Sequence, residues 1–304
     1  MKTFFYKWLK KPFFGRFNKT WRWPDDIEQA DWRRLYFKSQ SGSEICALLG
    51  ESQANLDQAE AVTSSMQTEV NTSVQTAVES PNQSAKGAVL LCHPMGVSAK
   101  GFWLRYGHAS LLRQAGYHVM VFDFNGFGES HSTNMEFPLD VLAAGDALAT
   151  EYPDLPIALI GASLGGAMSV CAMSNPQHPF KAAVIESAFP TLLHFWKQYP
   201  IPKLALHLIQ LIYPQGEKRV RPIHAAKNLK GQPNMLLIYG EADQYTPVKH
   251  GKILFEALKN QTATEFWAVE GAKHTHAYAA KPNEYKERVL SFLETSLKSA
   301  PKVR

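Results

Sequence analysis

Ile157-Ala158-Leu159-Ile160-Gly161-Ala162-Ser163-Leu164-Gly165-Gly166 is the stretch that decides the fold. A short apolar run enters a Gly-x-Ser-x-Gly turn, and Ala167-Met168-Ser169-Val170-Cys171-Ala172-Met173 leaves it as a helix-forming run. Strand, sharp turn and helix together are the setting of a nucleophile elbow. Such a turn strains its central residue, so its neighbours must be small. A Cβ at Gly161 or Gly165 would strike the adjacent strand or helix. Ser163 then stands at the top of a sheet, with the Leu164 amide at a helix N-terminus. Alone, the pentapeptide is a weak signal, because glycine and serine also build ordinary turns. The rest of the chain carries the decision.

Downstream and upstream of the elbow, apolar strands alternate with helical patterns from Gly87 onward. Strands are expected at Ala88–Cys92, Val119–Phe124, Ile157–Ile160, Ala182–Glu186, Asn234–Tyr239 and Glu265–Val269. Helices are expected near 102–115, 138–151, 164–174, 247–259 and 283–297. That alternation predicts an α/β fold: a mostly parallel central sheet with helices on both faces. Before it, the runs 34–38 and 44–49 flank Ser41-Gly42-Ser43 and read as a hairpin. Residues 188–230 break the alternation with many leucines and aromatics, and read as a helical lid.

Ser163 needs a base, an orienting carboxylate and two oxyanion donors, and each has a candidate at a strand end. Strand 88–92 runs into His93-Pro94-Met95-Gly96. Pro94 lacks an N–H, so Met95 is the expected donor and Gly96 the runner-up; Leu164 supplies the second amide. Strand 234–239 runs into a loop bearing Glu241 and Asp243, and Asp243 sits better beyond the strand end. Strand 265–269 runs into Gly271-Ala272-Lys273-His274-Thr275-His276. Ser163, Asp243 and His274 follow the nucleophile–acid–base order of an elbow serine. Tyr278 suggests a helical turn from His274 that would carry His276 aside, to the rim of the pocket. A His274-x-His276 metal pair lacks acidic or cysteine partners nearby, so no metal and no cofactor is expected.

Together these motifs resemble the α/β-hydrolase superfamily, in its esterase, lipase and serine-aminopeptidase-like branch. The residues that carry the resemblance are His93–Gly96, Asp123-x-x-Gly126-x-Gly128-x-Ser130, Gly161–Gly166, Gly240–Pro247 and Gly271–His274. The resemblance implies that the Asp123–Ser130 segment is a structural turn. It also implies that lid aromatics such as Phe189 and Trp196 line an acyl pocket. Pro94 departs from the glycine often found in the family. The expected activity is a serine hydrolase acting on a small acyl ester, thioester or lipid-like substrate. Its rivals are a peptidase or amidase with the same machinery, and a silent membrane-associated binding module.

The 304 residues carry a net charge of +5, unevenly spread. Residues 1–23 hold seven basic residues, nine aromatics and no acid, whereas 51–86 hold five acidic residues and one lysine. With the +7 and −4 of those segments set aside, +2 remains, which excludes a nucleic-acid surface on the body. Three lysines interrupt residues 1–23, so the segment is neither a secretory signal nor a membrane span. It reads either as an attachment to an anionic membrane or as an extension packed on the domain's flank. The domain proper is expected over 26–300, following the segment 1–25. Residues 51–86, without aromatics or glycine, read as a disordered insertion. Cys46, Cys92 and Cys171 fit buried thiols in a reducing compartment, which points to the cytoplasm; the membrane reading of residues 1–23 would add a peripheral position at the inner membrane face.

Overall fold

β-Branched and aliphatic runs set the sheet. The structure, a computed structural model, describes residues 22–53, 85–130, 134–197, 200–212 and 218–298. Its strands are β1 (Trp32–Lys38), β2 (Glu44–Gly50), β3 (Gly87–Cys92), β4 (Tyr117–Phe122), β5 (Ile157–Ala162), β6 (Phe180–Glu186), β7 (Asn234–Gly240) and β8 (Thr264–Val269). They form one eight-stranded sheet in the order β1-β2-β4-β3-β5-β6-β7-β8. β2 runs antiparallel to β1 and β4, and every other neighbouring pair is parallel.

Alternate residues of one strand feed two separate cores, as a sheet covered on both faces requires. In β3, Ala88, Leu90 and Cys92 join one apolar cluster, while Val89 and Leu91 join the other. The first core takes its outer layer from Phe137–Glu151, Leu164–Ala172 and Val248–Leu258. The second is covered by Gly101–Arg105, His108–Gln114 and Pro282–Lys298. In chain order the helices are α1 (Gly101–Arg105), α2 (His108–Gln114), α3 (Phe137–Glu151), α4 (Leu164–Ala172), α5 (Leu192–Phe195), α6 (Pro200–Ile212), α7 (Pro222–Ala226), α8 (Val248–Leu258), α9 (Ala277–Ala280) and α10 (Pro282–Lys298).

Two boundaries differ from expectation for physical reasons. The single helix expected over 102–115 is broken into α1 and α2 by Gly107, whose φ of 76° no helix accommodates. β4 ends at Phe122 rather than 124, because Asp123 and Phe124 already belong to the following turn. Among its described residues the 188–230 segment holds α5, α6 and α7, between β6 and β7. α6 exposes Ile201, Leu204, Leu208, Leu211 and Ile212, an apolar stripe turned to solvent. Among the described residues no helix is long and apolar enough to cross a membrane.

Of the basic-aromatic segment, residues 1–21 lie outside the described residues; Trp23 packs against the second core. Residues 54–84 of the insertion also lie outside them. The insertion's ends are built into the fold, a correction to its expected bounds of 51–86. Glu51 accepts from the Tyr152 hydroxyl at 2.7 Å and, through its carbonyl, from Arg113 Nε at 2.7 Å. Ser52 is wholly buried and donates its amide to His118 Nδ1 at 3.2 Å. Ala85 is buried as well. A chain with a short linker in place of 54–84 should therefore unfold in urea where the parent does. Removing 51–86 should cost about 2–3 kcal/mol, the loss of several part-buried hydrogen bonds. Equal urea midpoints for the two deletions would refute this.

Candidate active site

β5 is buried along its whole length and delivers Ser163 to the C-terminal edge of the sheet. Ser163 sits between β5 and α4 with φ 51° and ψ −112°, a conformation that L-residues avoid. The flanking glycines allow it. A Cβ on Gly165 would lie 2.0 Å from the Cys92 carbonyl oxygen, and one on Gly161 would lie 2.8 Å from the Gly166 backbone. α4 thus starts pressed against the end of β3. Backbone cannot move aside as a side chain can, so Gly165→Ala should cost roughly 3 kcal/mol or more, or leave no soluble protein. A thermal melt matching the parent would refute the close approach.

The Asp243 and His274 loops meet over Ser163. β7 ends at Gly240, where a Cβ would fall 2.2 Å from the Ala272 carbonyl, so the Asp243 loop lies directly on the His274 loop. His274 Nε2 is 2.9 Å from Ser163 Oγ, and its Nδ1 is 2.8 Å from Asp243 Oδ2. Asp243 is buried, and its carboxylate is saturated. Oδ1 accepts the amides of Tyr245 and Thr246 at 2.8 and 2.9 Å, and Oδ2 accepts the Thr246 hydroxyl at 2.7 Å. Burial pushes this carboxyl up, but the hydrogen bond and charge of His274 and the two Thr246 donors outweigh it. It is held down at about 2. Glu241, the alternative acid, points to solvent.

His276 lies aside. It is exposed, its Nδ1 is 2.5 Å from the His274 carbonyl, and its ring meets Tyr106 edge-on at 5.7 Å. The reason differs from the expected helical turn at His274: α9 begins only at Ala277, and His274 stands in the loop before it. Of the expected pocket residues, Phe189 is wholly buried in the core, 5.3 Å from Phe195. It packs rather than lines, because its ring is enclosed in the first core with no exposed surface. Trp196 is half-buried at the end of α5. Met95 is half-buried in the loop after β3, with its side chain against the first core.

The segment after β4 is a structural turn. Asp123 accepts the amides of Lys100 and Glu129 at 2.9 and 2.8 Å, and Ser130 Oγ donates to the Asp123 carbonyl at 2.7 Å. His93 Nε2 accepts the Phe124 amide at 3.1 Å, tying the end of β3 to this turn. Burial pulls the His93 imidazole down to about 4, so it stays neutral. Cys46, Asp123 and Glu129 come close enough to suggest a cation site. Lys100, wholly buried, already supplies the positive charge there, 2.5 Å from Asp123 and 2.7 Å from Glu129. Behind the His274 loop stand Glu186 and Ser187, which no motif marks. Their one signal in the chain is a carboxylate closing the apolar run 182–185.

The hollows near and away from this arrangement are unequal. A groove of about 550 Å³ lies at the opposite edge of the sheet, between β8 and α10. A smaller one of about 190 Å³ adjoins the His274 loop, lined by Tyr106, His108, Thr275, His276 and Tyr278.

A serine at an elbow, facing a histidine that is backed by a buried aspartate, is hydrolase geometry. The sequence profile described as the prolyl oligopeptidase family matches residues 103–300, well over half of the chain. The chain belongs to the prolyl oligopeptidase family. It is thereby a hydrolase of the α/β-hydrolase superfamily. The human putative protein-lysine deacylase ABHD14B is 26% identical over 213 residues, which span 69% of this chain and 84% of that protein. Human ABHD12B is 27% identical over 169 residues, 49% of this chain, and the match spans 44% of ABHD12B's length. An esterase of Pyrococcus furiosus, Pf2001, superposes with a TM-score of 0.66 at 18% identity, covering 92% of this chain and 98% of the esterase. At that identity the likeness is one of fold. Within the prolyl oligopeptidase family, this chain's match begins in α1 and takes in all of the parallel strands beyond β3.

Proposed function

We propose that the protein is a serine hydrolase that cleaves a carboxylic ester or thioester through an acyl-enzyme. The observation that carries this is the unbroken line from Asp243 Oδ2 through His274 to Ser163 Oγ, at 2.8 and 2.9 Å. Ser163 attacks the acyl carbon as His274 Nε2 takes its proton. The imidazolium is held by Asp243, which stays ionised because its pKa lies far below neutrality. His274 then protonates the leaving alkoxide or thiolate. Water, deprotonated by the same nitrogen, releases the acid and restores Ser163. The amides of Met95 and Leu164 receive the oxyanion; Leu164 opens α4, where first-turn amides have no partner in the helix.

An apolar acyl group fits the side chains of the 188–230 segment. The lid segment offers Phe195 and Trp196, and α6 adds exposed leucines and isoleucines. These suit an apolar acyl chain. A second reading, amide or peptide cleavage by the same residues, is favoured by the family to which the chain belongs. A panel of p-nitrophenyl esters of rising chain length, an acyl thioester, an aminoacyl amide and an acyl-lysine peptide separates the two. The proposal expects the highest kcat/KM among the esters or thioesters. The highest value on an amide would transfer the assignment to the second reading.

A further inference from the structure

β6 ends behind the site in two buried polar residues, Glu186 and Ser187, that take no part in the chemistry above. Their contacts reach both sides of it. The Glu186 carbonyl accepts the Ser163 amide at 2.8 Å, and Glu186 Oε1 accepts the Ala277 amide at 3.0 Å. Ser187 Oγ accepts the Thr275 amide at 3.3 Å, and the Ser187 amide donates to the Ile238 carbonyl at 2.9 Å. His274 is thus bracketed by a loop whose next residue, and whose third residue on, are both tied to the end of β6. Ser163, Ser187 and Thr275 all hold positive φ, at 51°, 52° and 57°. Three strained non-glycine residues joined by one set of hydrogen bonds mark a geometry that is imposed, not relaxed.

A carboxyl in this place is costly to bury. Burial pushes Glu186 up to about 7, with the Ala277 amide and the imidazoles of His274 and His276 only partly offsetting it. An apolar side chain would fill the space at lower cost but would leave the Ala277 amide unpaired. We propose that Glu186 and Ser187 are positioning residues that clamp the His274 loop to the nucleophile elbow, holding base and serine in one frame. The inference rests on the reading of Ser163 as nucleophile and His274 as base.

The test compares kcat, KM, melting temperature and the rate of fluorophosphonate labelling for Glu186→Ala, Glu186→Gln and Ser187→Ala beside Ser163→Ala. Glu186→Ala should lower kcat and the labelling rate together by about ten- to a hundredfold, the range for small misplacement of a catalytic group, with KM within about twofold. Glu186→Gln should restore kcat to within about threefold of the parent, because its amide oxygen still accepts from Ala277. Ser187→Ala should lower kcat by about three- to tenfold, again without moving KM. Parental kcat in Glu186→Ala or Ser187→Ala, or a loss confined to melting temperature or KM, overturns the clamp. So does a Glu186→Gln variant as slow as Glu186→Ala. If Glu186→Ala does not fold, Ser187→Ala, which loses only a hydroxyl, decides. Turnover surviving in Ser163→Ala would instead remove the underlying reading. A dead Ser163→Ala beside parental clamp variants removes the clamp alone.

Discussion

Ser163→Ala should lower kcat on the best substrate by a factor of about 10⁴ or more while leaving the unfolding midpoint unmoved. The side chain is buried to 3% exposure, yet its polar contact is the 2.9 Å approach to His274. Removing one oxygen therefore opens no cavity of consequence and leaves α4 and β5 in register. What disappears, under the proposed acyl-enzyme route, is the atom that forms the acyl bond. Binding and the oxyanion amides survive, so KM should change little and a small residual rate over water should remain. The check is a steady-state assay with a urea titration of the same preparation. Loss of less than about tenfold would mean that another group attacks the substrate.

The second large effect separates two histidines only two residues apart. His274→Ala should abolish acylation, with a loss comparable to that of the serine variant, because an unassisted hydroxyl is a poor nucleophile at neutral pH. His276→Ala should keep turnover within about threefold and act mainly on KM, since its ring faces Tyr106 and solvent rather than Ser163. Pre-steady-state bursts report acylation directly. A burst in His274→Ala, with none in His276→Ala, would reverse the two roles.

Much of this arrangement is legible in the chain, for a definite reason. Strand ends that carry chemistry are short, local patterns: an apolar run, then a turn with small or polar residues. Gly161–Gly166, Gly240–Asp243 and Gly271–His274 each show one, and the glycines at 161, 165 and 240 are demanded by contacts of 2.0–2.8 Å with backbone that only a missing Cβ permits. The parallel sheet and its two covered faces follow from the alternation of strands and helices; the order of its strands, with β4 between β2 and β3, does not. What local patterns do not carry is contact at long range. Glu186 closes an ordinary apolar strand, and only the fold brings its carboxyl to an amide 91 positions away. Phe189 has the composition of a pocket wall but is enclosed in the first core beside Phe195 of α5. Gly107 ends a helix that hydrophobic spacing alone would continue. The ends of the 51–86 segment look as polar as its middle, and Tyr152, Arg113 and His118 recruit them nonetheless.

That segment leaves the sheet at Gly50 and returns at Gly87. Gly50 pairs with Val119 near the start of β4, and Gly87 pairs with Tyr117 at its first residue. Both junctions therefore lie at the edge opposite Ser163, a strand length of about 20 Å away. For anyone attaching the enzyme to a surface, or splicing a fluorescent reporter into it, this is the natural port. Cargo joined between residues 53 and 85 would hang from the floor of the sheet, at the end away from Ser163.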